Sequence, residues 1–250
     1  MNPKINKSVQ YQHLGLADYQ KIWDYQTELF QQILDVKTQN RDLPPESQLE
    51  TPNFLLFCEH PHVYTLGRNG KADNLLHAVD TLADIGATYY HSNRGGDITY
   101  HGPGQIVVYP ILDLENFFTD IHKYMRLLEE AVIRTLAYYK VDAGRITGLT
   151  GVWIDYVEQK QPRKICAMGV KTSRWATMHG LALNITTDLS YFNNIVPCGI
   201  SDKAVTSLAK EIGQVPNMAE VEALLLKHIS SLFEMELTMK ESVSILSSPM

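Results

Sequence analysis

A chain of 250 residues, 44% hydrophobic and 20% charged, can build a packed core as one large domain or two small ones. Its formal net charge of −6 argues against broad, non-specific nucleic-acid binding. The opening MNPKINKSVQYQHLGL lacks the apolar run of a signal peptide, and no stretch approaches the ~20 apolar residues of a membrane span, so a cytoplasmic protein with no membrane contact is expected.

Along the chain, ADYQKIWDYQTELFQQILDV places Ile22, Leu29, Phe30, Ile33 and Leu34 on one helical face. The polar TQNRDLPPESQLETP (38–52) follows as a surface loop or insertion. Short β-type runs come next, FLLFCE, HVYTL and ATYYHS, and then RGGDITYHGPGQIVVYP (94–110), which reads as a tight hairpin. Gly102-Pro103-Gly104 suits a type II turn there, with proline second and glycine third. QIVVYPILDL continues as a strand, and TDIHKYMRLLEEAVIRTLAYYK as a helix capped by Thr119 or Asp120. GVWIDY and KICAMGVKT are strands joined through the polar turn EQKQPRK (158–164), and MHGLALNI is another. A last helix, NMAEVEALLLKHISSLFEM, starts after Pro216 with Asn217 as its cap, and beyond about residue 236 little periodic signal remains. Several strands are apolar on both faces, as in a sheet covered by helices. The expectation is α/β of the α+β type, one domain over 1–250 with a mixed sheet flanked by helices, and no internal repeat.

Five stretches invite a chemical reading. In 94–110, Gly95 and Gly96 let backbone bend sharply or approach a ligand, and Arg94, Tyr100 and His101 supply polar groups; a bare tight hairpin is the plainer alternative. No Gly-Lys-Ser/Thr follows, and the glycine spacing is not that of a dinucleotide fingerprint. In MHGLALNI, Gly180 and Ala182 share one strand face, leaving room for a ligand or for close packing. From Gln159 to Thr187 no acidic residue occurs, while Lys160, Arg163, Lys164, Lys171 and Arg174 are cationic, a local positive patch or merely a soluble hairpin. Cys58, His60 and His62 alternate in FCEHPH, yet no fourth ligand follows at a usual spacing and Pro61 interrupts, so no metal is expected. Cys58 and Cys166 read as small core residues. The third cysteine, Cys198, lies between Pro197 and Gly199 in NNIVPCGIS, a plausible nucleophile with no histidine beside it in sequence.

Taken together and in order, EHPHVYTLGRNG, RGGDITYHGPGQIVVYPI, GVWID, KICAMGVKTSRWATMHGLALNI, DLSYFNNIVPCGI and VTSL resemble the lipoyl(octanoyl) transferases, relatives in fold of the biotin and lipoate protein ligases. The resemblance covers roughly residues 54–208, with weaker similarity in the flanking helices. Cys166 stands where an alanine is usual, His62 where a second proline is common, and the insertion at 38–52 is longer than in many relatives.

The resemblance implies transfer of an octanoyl group from the thioester of octanoyl-acyl carrier protein to a lysine ε-amine on lipoyl domains of 2-oxoacid dehydrogenases or glycine cleavage H protein. It requires no cofactor, and a monomer is expected. By motif, Cys198 takes the place of the acyl-thioester nucleophile, and Lys164 that of the lysine that tunes it. The substrate-contacting positions are Arg94, Gly95, Gly96, Asp97, Ile98, Thr99, Tyr100 and His101, with Ala167, Met168, Gly169, Gly180, Leu181 and Ala182. A free thiol has a pKa of ~8.5, and an adjacent ammonium favours the thiolate. Gly169, Gly180 and Ala182 would make space for the chain, and the basic tract would suit an acidic carrier protein. The alternative on the same fold is an ATP-dependent lipoate or biotin ligase, which needs no cysteine nucleophile; a non-catalytic carrier-binding module and a cysteine hydrolase drawing on His101 or His179 are the others.

Overall fold

A computed structural model describes residues 5–196 and 204–239. The chain starts with β1 (Ser8–Leu16) and α1 (Tyr19–Gln39), the helix capped by the Asp18 carboxylate, which accepts from the Lys21 N–H at 3.0 Å. The strands β2 (Phe54–Glu59), β3 (Val63–Leu66), β4 (Thr88–His91) and β5 (Ile98–His101) follow. Then come β6 (Gln105–Ile111), α2 (Ile121–Tyr138), β7 (Val152–Ile154), β8 (Arg163–Ser173) and β9 (Ala176–Asn184). After the undescribed 197–203 the chain continues with β10 (Ala204–Val205), α3 (Leu208–Ile212), α4 (Met218–Phe233) and β11 (Glu236–Met239).

The large sheet runs β10-β8-β9-β6-β2-β1-β11, with β7 also paired to β8. It is mixed: β8, β9, β6 and β2 are antiparallel neighbours, whereas β2–β1, β1–β11 and β10–β8 are parallel. Alternation along β2 divides its side chains between two cores. Leu55 and Phe57 join the face covered by α2 and α4, with Leu128, Val132, Leu225 and Ile229. Phe54, Leu56 and Cys58 join the face covered by α1, with Ile22, Leu29 and Ile33. Burying one such side chain contributes about 2 kcal/mol, so both faces of the sheet hold their helices. A second sheet, β4-β3-β5, has its own small core around Tyr64, Leu66, Leu82, Ile98 and Tyr100. The mixed sheet between helices is the architecture expected from the sequence, and Asp120 and Asn217 cap α2 and α4 as read there.

Two expectations need correction. Residues 94–110 are not a hairpin within one sheet, because β5 pairs with β3 while β6 pairs with β2 and β9. The turn itself is as read: the Gln105 N–H donates to the Gly102 carbonyl at 3.2 Å, and Gly104 has φ +80°. It carries the chain from one sheet to the other. The quiet segment after 236 forms β11, a parallel partner of β1, an element also absent from the sequence reading. The insertion at 38–52 is a surface excursion of two single 3₁₀ turns, Asn40–Asp42 and Pro45–Ser47, closed by paired hydrogen bonds of 2.8 Å between the Asn40 side chain and the Leu49 backbone. Among the described residues no helix is long and apolar enough to cross a membrane.

Candidate active site

A cavity of about 100 Å³ lies across β8, β9 and β6. Its apolar wall includes Ile98, Val107, Met168, Leu181, Ala182 and Phe192, and Ala204 and Val205 of β10 close one edge. Polar groups interrupt this wall at Lys164, Asn184, Gln105, His101, Arg94, Tyr19 and Tyr109.

Lys164 opens on the cavity from the start of β8. Its backbone is held on both sides, opposite Trp153 in β7 and opposite Val205 in β10. Its Nζ stands 4.7 Å from the centre of the Trp153 ring, where the negative face of the indole attracts an ammonium. β7 is itself fixed from below by Glu129, a buried carboxylate in α2 that accepts from the Gly151 N–H at 3.0 Å and is paired with Arg126 and Arg145. Gly151 has φ +108°, and a Cβ there would meet the Cys166 carbonyl oxygen at 2.4 Å, so glycine is required for β7 to approach β8.

The 94–97 loop is tied down by its arginine. Arg94 is buried, donating from Nε and Nη2 to Thr65 Oγ1 at 3.2 and 2.9 Å and from Nη1 to the Gly95 carbonyl at 3.0 Å. Gly95 docks the loop on β8 through a 2.9 Å bond from its N–H to the Val170 carbonyl. Asp97 accepts from the Ile98 N–H and from Asn74 Nδ2, at 2.7 and 2.6 Å.

Burial holds the two cavity histidines neutral. His101 is pushed down to about 3, by burial first and then by His60, and its Nδ1 lies 2.7 Å from Gln105 Oε1. His179 is also pushed down to about 3, by burial and then by the Arg94 charge, with Nε2 2.7 Å from Asn93 Oδ1. His179 adopts φ +61°, uncommon for a non-glycine residue, and its N–H is held by Gln26 Oε1 at 3.0 Å. The Cys166 thiol is fully buried, and burial pushes it well above the usual thiol range, against a smaller opposing effect of Lys164. It is a core residue, as is Cys58. His60 and His62 are engaged with Tyr109 and Tyr100, at 2.8 and 2.7 Å.

The structure gathers Lys164, Arg94, Gly96, Asp97, Ile98, Thr99, His101, Ala167, Met168, Gly169, Gly180, Leu181 and Ala182 around this one cavity. Gly95 and Tyr100 do not line it: Gly95 serves the β8 contact, and the Tyr100 ring turns into the small-sheet core, packing on Tyr64 and Tyr191. Cys198 lies outside the described residues. Two of the cavity-lining glycines also admit close backbone: a Cβ on Gly180 would meet the Val108 carbonyl oxygen at 2.1 Å, and one on Gly169 the Gly95 carbonyl oxygen at 2.6 Å. The positive tract is also less positive than its sequence, because Glu211 binds Arg163 through both oxygens, at 2.7 and 2.6 Å, and Glu158 binds Lys160. Sequence reasoning missed Gln105, Asn184, Trp153, Tyr109 and Tyr19. A polar residue opening the otherwise apolar QIVVYPI was the available signal for Gln105. Tyr19 arrives from α1, and nothing local in the sequence marks it.

Residues 18–230 match the family model described as the lipoyl protein ligase A/B catalytic domain. The chain belongs to this family. It is 59% identical over 237 residues to an octanoyltransferase of Cytophaga hutchinsonii, covering 95% of this chain and 97% of that one. An octanoyltransferase of Flavobacterium psychrophilum is 60% identical over 231 residues, 92% of this chain and 98% of the other. Identity of this order over nearly whole chains makes the protein an acyltransferase of the lipoyl protein ligase A/B family. The fold likeness reaches further: a bipartite lipoate protein ligase from Thermoplasma acidophilum superposes with a TM-score of 0.65 at 17% identity, over 97% of this chain and 89% of that one. A lipoate-protein ligase A bound with ATP does so with a TM-score of 0.65 at 16% identity, over 96% and 90%.

Proposed function

We propose that the protein moves an octanoyl group from octanoyl-acyl carrier protein to a lysine of a lipoyl domain through a thioester on Cys198. The observation that carries this reading is the position of Lys164, a cation at one edge of an otherwise largely apolar cavity whose walls draw on five of the quoted motifs. The described chain leaves at Val196, whose N–H donates to the Asn74 carbonyl at 2.8 Å, and returns at Ala204 beside Arg163 and Lys164.

The steps balance without an external energy source. The Cys198 thiolate adds to the donor thioester carbonyl, and collapse of the tetrahedral intermediate expels the pantetheine thiolate, which takes a proton from the Lys164 ammonium. One thioester replaces another, so the acyl group stays activated and no ATP is consumed. The acceptor amine then adds to the Cys198 thioester, Lys164 takes the proton, and Cys198 leaves as thiolate, giving an amide. His101 and His179 make poor proton acceptors for these steps, since burial holds both near 3. That favours Lys164 over a histidine as the base.

Incubation with octanoyl-carrier protein, without ATP or magnesium, should add one octanoyl group to the intact protein by mass spectrometry, and Cys198→Ala should abolish the addition. An undiminished adduct in Cys198→Ala, or transfer that requires ATP, contradicts the mechanism and favours the ligase reading. Lys164→Ala should slow alkylation of Cys198 near neutral pH about tenfold, the equivalent of one unit in thiol pKa. Unchanged alkylation removes Lys164 from the activating role.

A further inference from the structure

β10 has only two residues, too few for its ladder bonds alone to fix its place at the edge of the cavity. The residue that follows is tied more thoroughly. Thr206 is fully buried; its N–H donates to the Lys164 carbonyl at 3.0 Å and its Oγ1 to Glu211 Oε1 at 2.5 Å. Its carbonyl accepts from Asn184 Nδ2 at 2.9 Å. From there a single line of side chains crosses β9 and β6: Gln105 Nε2 donates to Asn184 Oδ1 at 2.8 Å, and Gln105 Oε1 meets His101 Nδ1 at 2.7 Å.

The polarity of this line is determined by two backbone carbonyls, that of Thr206 beside Asn184 and that of Tyr100, which also accepts from Gln105 Nε2 at 3.2 Å. A backbone carbonyl can only accept, so the Asn184 amide nitrogen must face Thr206 and its oxygen must face Gln105. The Gln105 nitrogen then donates, and its oxygen is left to accept from His101, which must carry its proton on Nδ1. Burial keeps His101 neutral, so its Nε2 is the unprotonated nitrogen.

The geometry points to Asn184 as a positioning residue for acyl transfer, holding the β10 edge beside Lys164 and sharing with the Tyr100 carbonyl the orientation of Gln105, which faces His101. This rests on the transferase reading of the cavity. Asn184→Asp keeps the shape but sets a carboxylate oxygen against the Thr206 carbonyl. Gln105→Glu does the same against Asn184 Oδ1, and so breaks the same line one link further on.

Octanoyl transfer should be measured for both variants and for the double variant. Each single change should lower kcat tenfold or more while KM for donor and acceptor stays within twofold. Because both break one line, the double variant should be no worse than the poorer single variant. Nitrogen-15 NMR should report a protonated Nδ1 on His101 in the parent protein, and the same in Asn184→Asp, where the Tyr100 carbonyl and the new carboxylate still accept from Gln105 Nε2. Additive losses, kcat within twofold of the parent, a His101 protonated on Nε2 in the parent, or a loss that vanishes when corrected for the folded fraction would each overturn the inference. Cys198→Ala run in parallel separates the two ideas, since its retained activity would sink the thioester mechanism and leave the Asn184 result to be read on its own.

Discussion

At Gly180 the missing Cβ points at the neighbouring strand. A methyl group there would stand 2.1 Å from the Val108 carbonyl oxygen and 2.7 Å from Pro110 Cδ, both in β6, where no flexible side chain can move aside. Gly180→Ala should therefore force β9 and β6 apart and cost about 3 kcal/mol, at the upper end of ordinary overpacking. For a chain of this size that is a fall in Tm of roughly 6–12 °C. Gly15→Ala is the control, since Gly15 has φ +63° and open space around its Cβ position, so only backbone strain of about 1 kcal/mol is expected. Equal Tm values for the two variants would mean that β9 can shift freely, and the cavity wall with it. The same geometry explains why the role of Gly180 was only half legible. MHGLALNI marks small residues on one strand face, but which side the adjoining carbonyl occupies is decided by the register of β9 on β6.

Elements with a strong internal period were readable, and those specified by distant partners were not. α1, α2 and α4 show an apolar stripe in the sequence itself, and α2 and α4 a capping residue as well, so their existence was readable from local chemistry. β1 mixes polar and apolar residues in SVQYQHLGL, and only its parallel partners β2 and β11 make it a strand. β5 and β6 look like two arms of one hairpin because a type II turn joins them, yet turn chemistry specifies only the reversal and not the sheet that each arm enters. Tyr64 and Leu66 draw β5 into the small core, while Val107 and Val108 lie between the two helical layers of the large one. Lys164, Arg94 and the Ala167–Gly169 and Gly180–Ala182 stretches were legible because each sits in a long motif; their convergence on one cavity required the antiparallel β8–β9 register that sets Gly169 opposite Gly180. Charge was the least legible property. The Arg163 partner, Glu211, is 48 residues away, so a tract that is basic along the chain is partly neutralised in space.

For the molecule as a whole, burial of neutral histidines creates a sensitivity to acid. His60 is pushed down to about 4, and His101 and His179 to about 3, in each case chiefly by burial. The unfolded chain takes up a proton at each site near the ordinary value of ~6.5, whereas the folded chain refuses it until the pH nears the folded value. Above pH ~6.5 both states are neutral and nothing is lost. Below it the unfolded state binds more protons, so stability falls as pH falls, by up to ~1.4 kcal/mol per unit for each histidine, until the folded values are reached. Between pH 7.5 and 5.5 the three together should cost on the order of 4 kcal/mol, a large part of the ~5–15 kcal/mol that holds a typical fold. Ordinary carboxylates, near ~4, stay ionised through this window and do not confuse it. Urea unfolding at pH 7.5, 6.5 and 5.5 should show a midpoint that drops mainly over the last interval with the slope unchanged. His60→Gln, which cannot titrate, should remove about a third of that drop. A midpoint constant to pH 5.5 would mean that His60, His101 and His179 take up protons in the folded protein, and that the neutral, singly protonated His101 at the end of the Asn184 line is not the state in which the enzyme works.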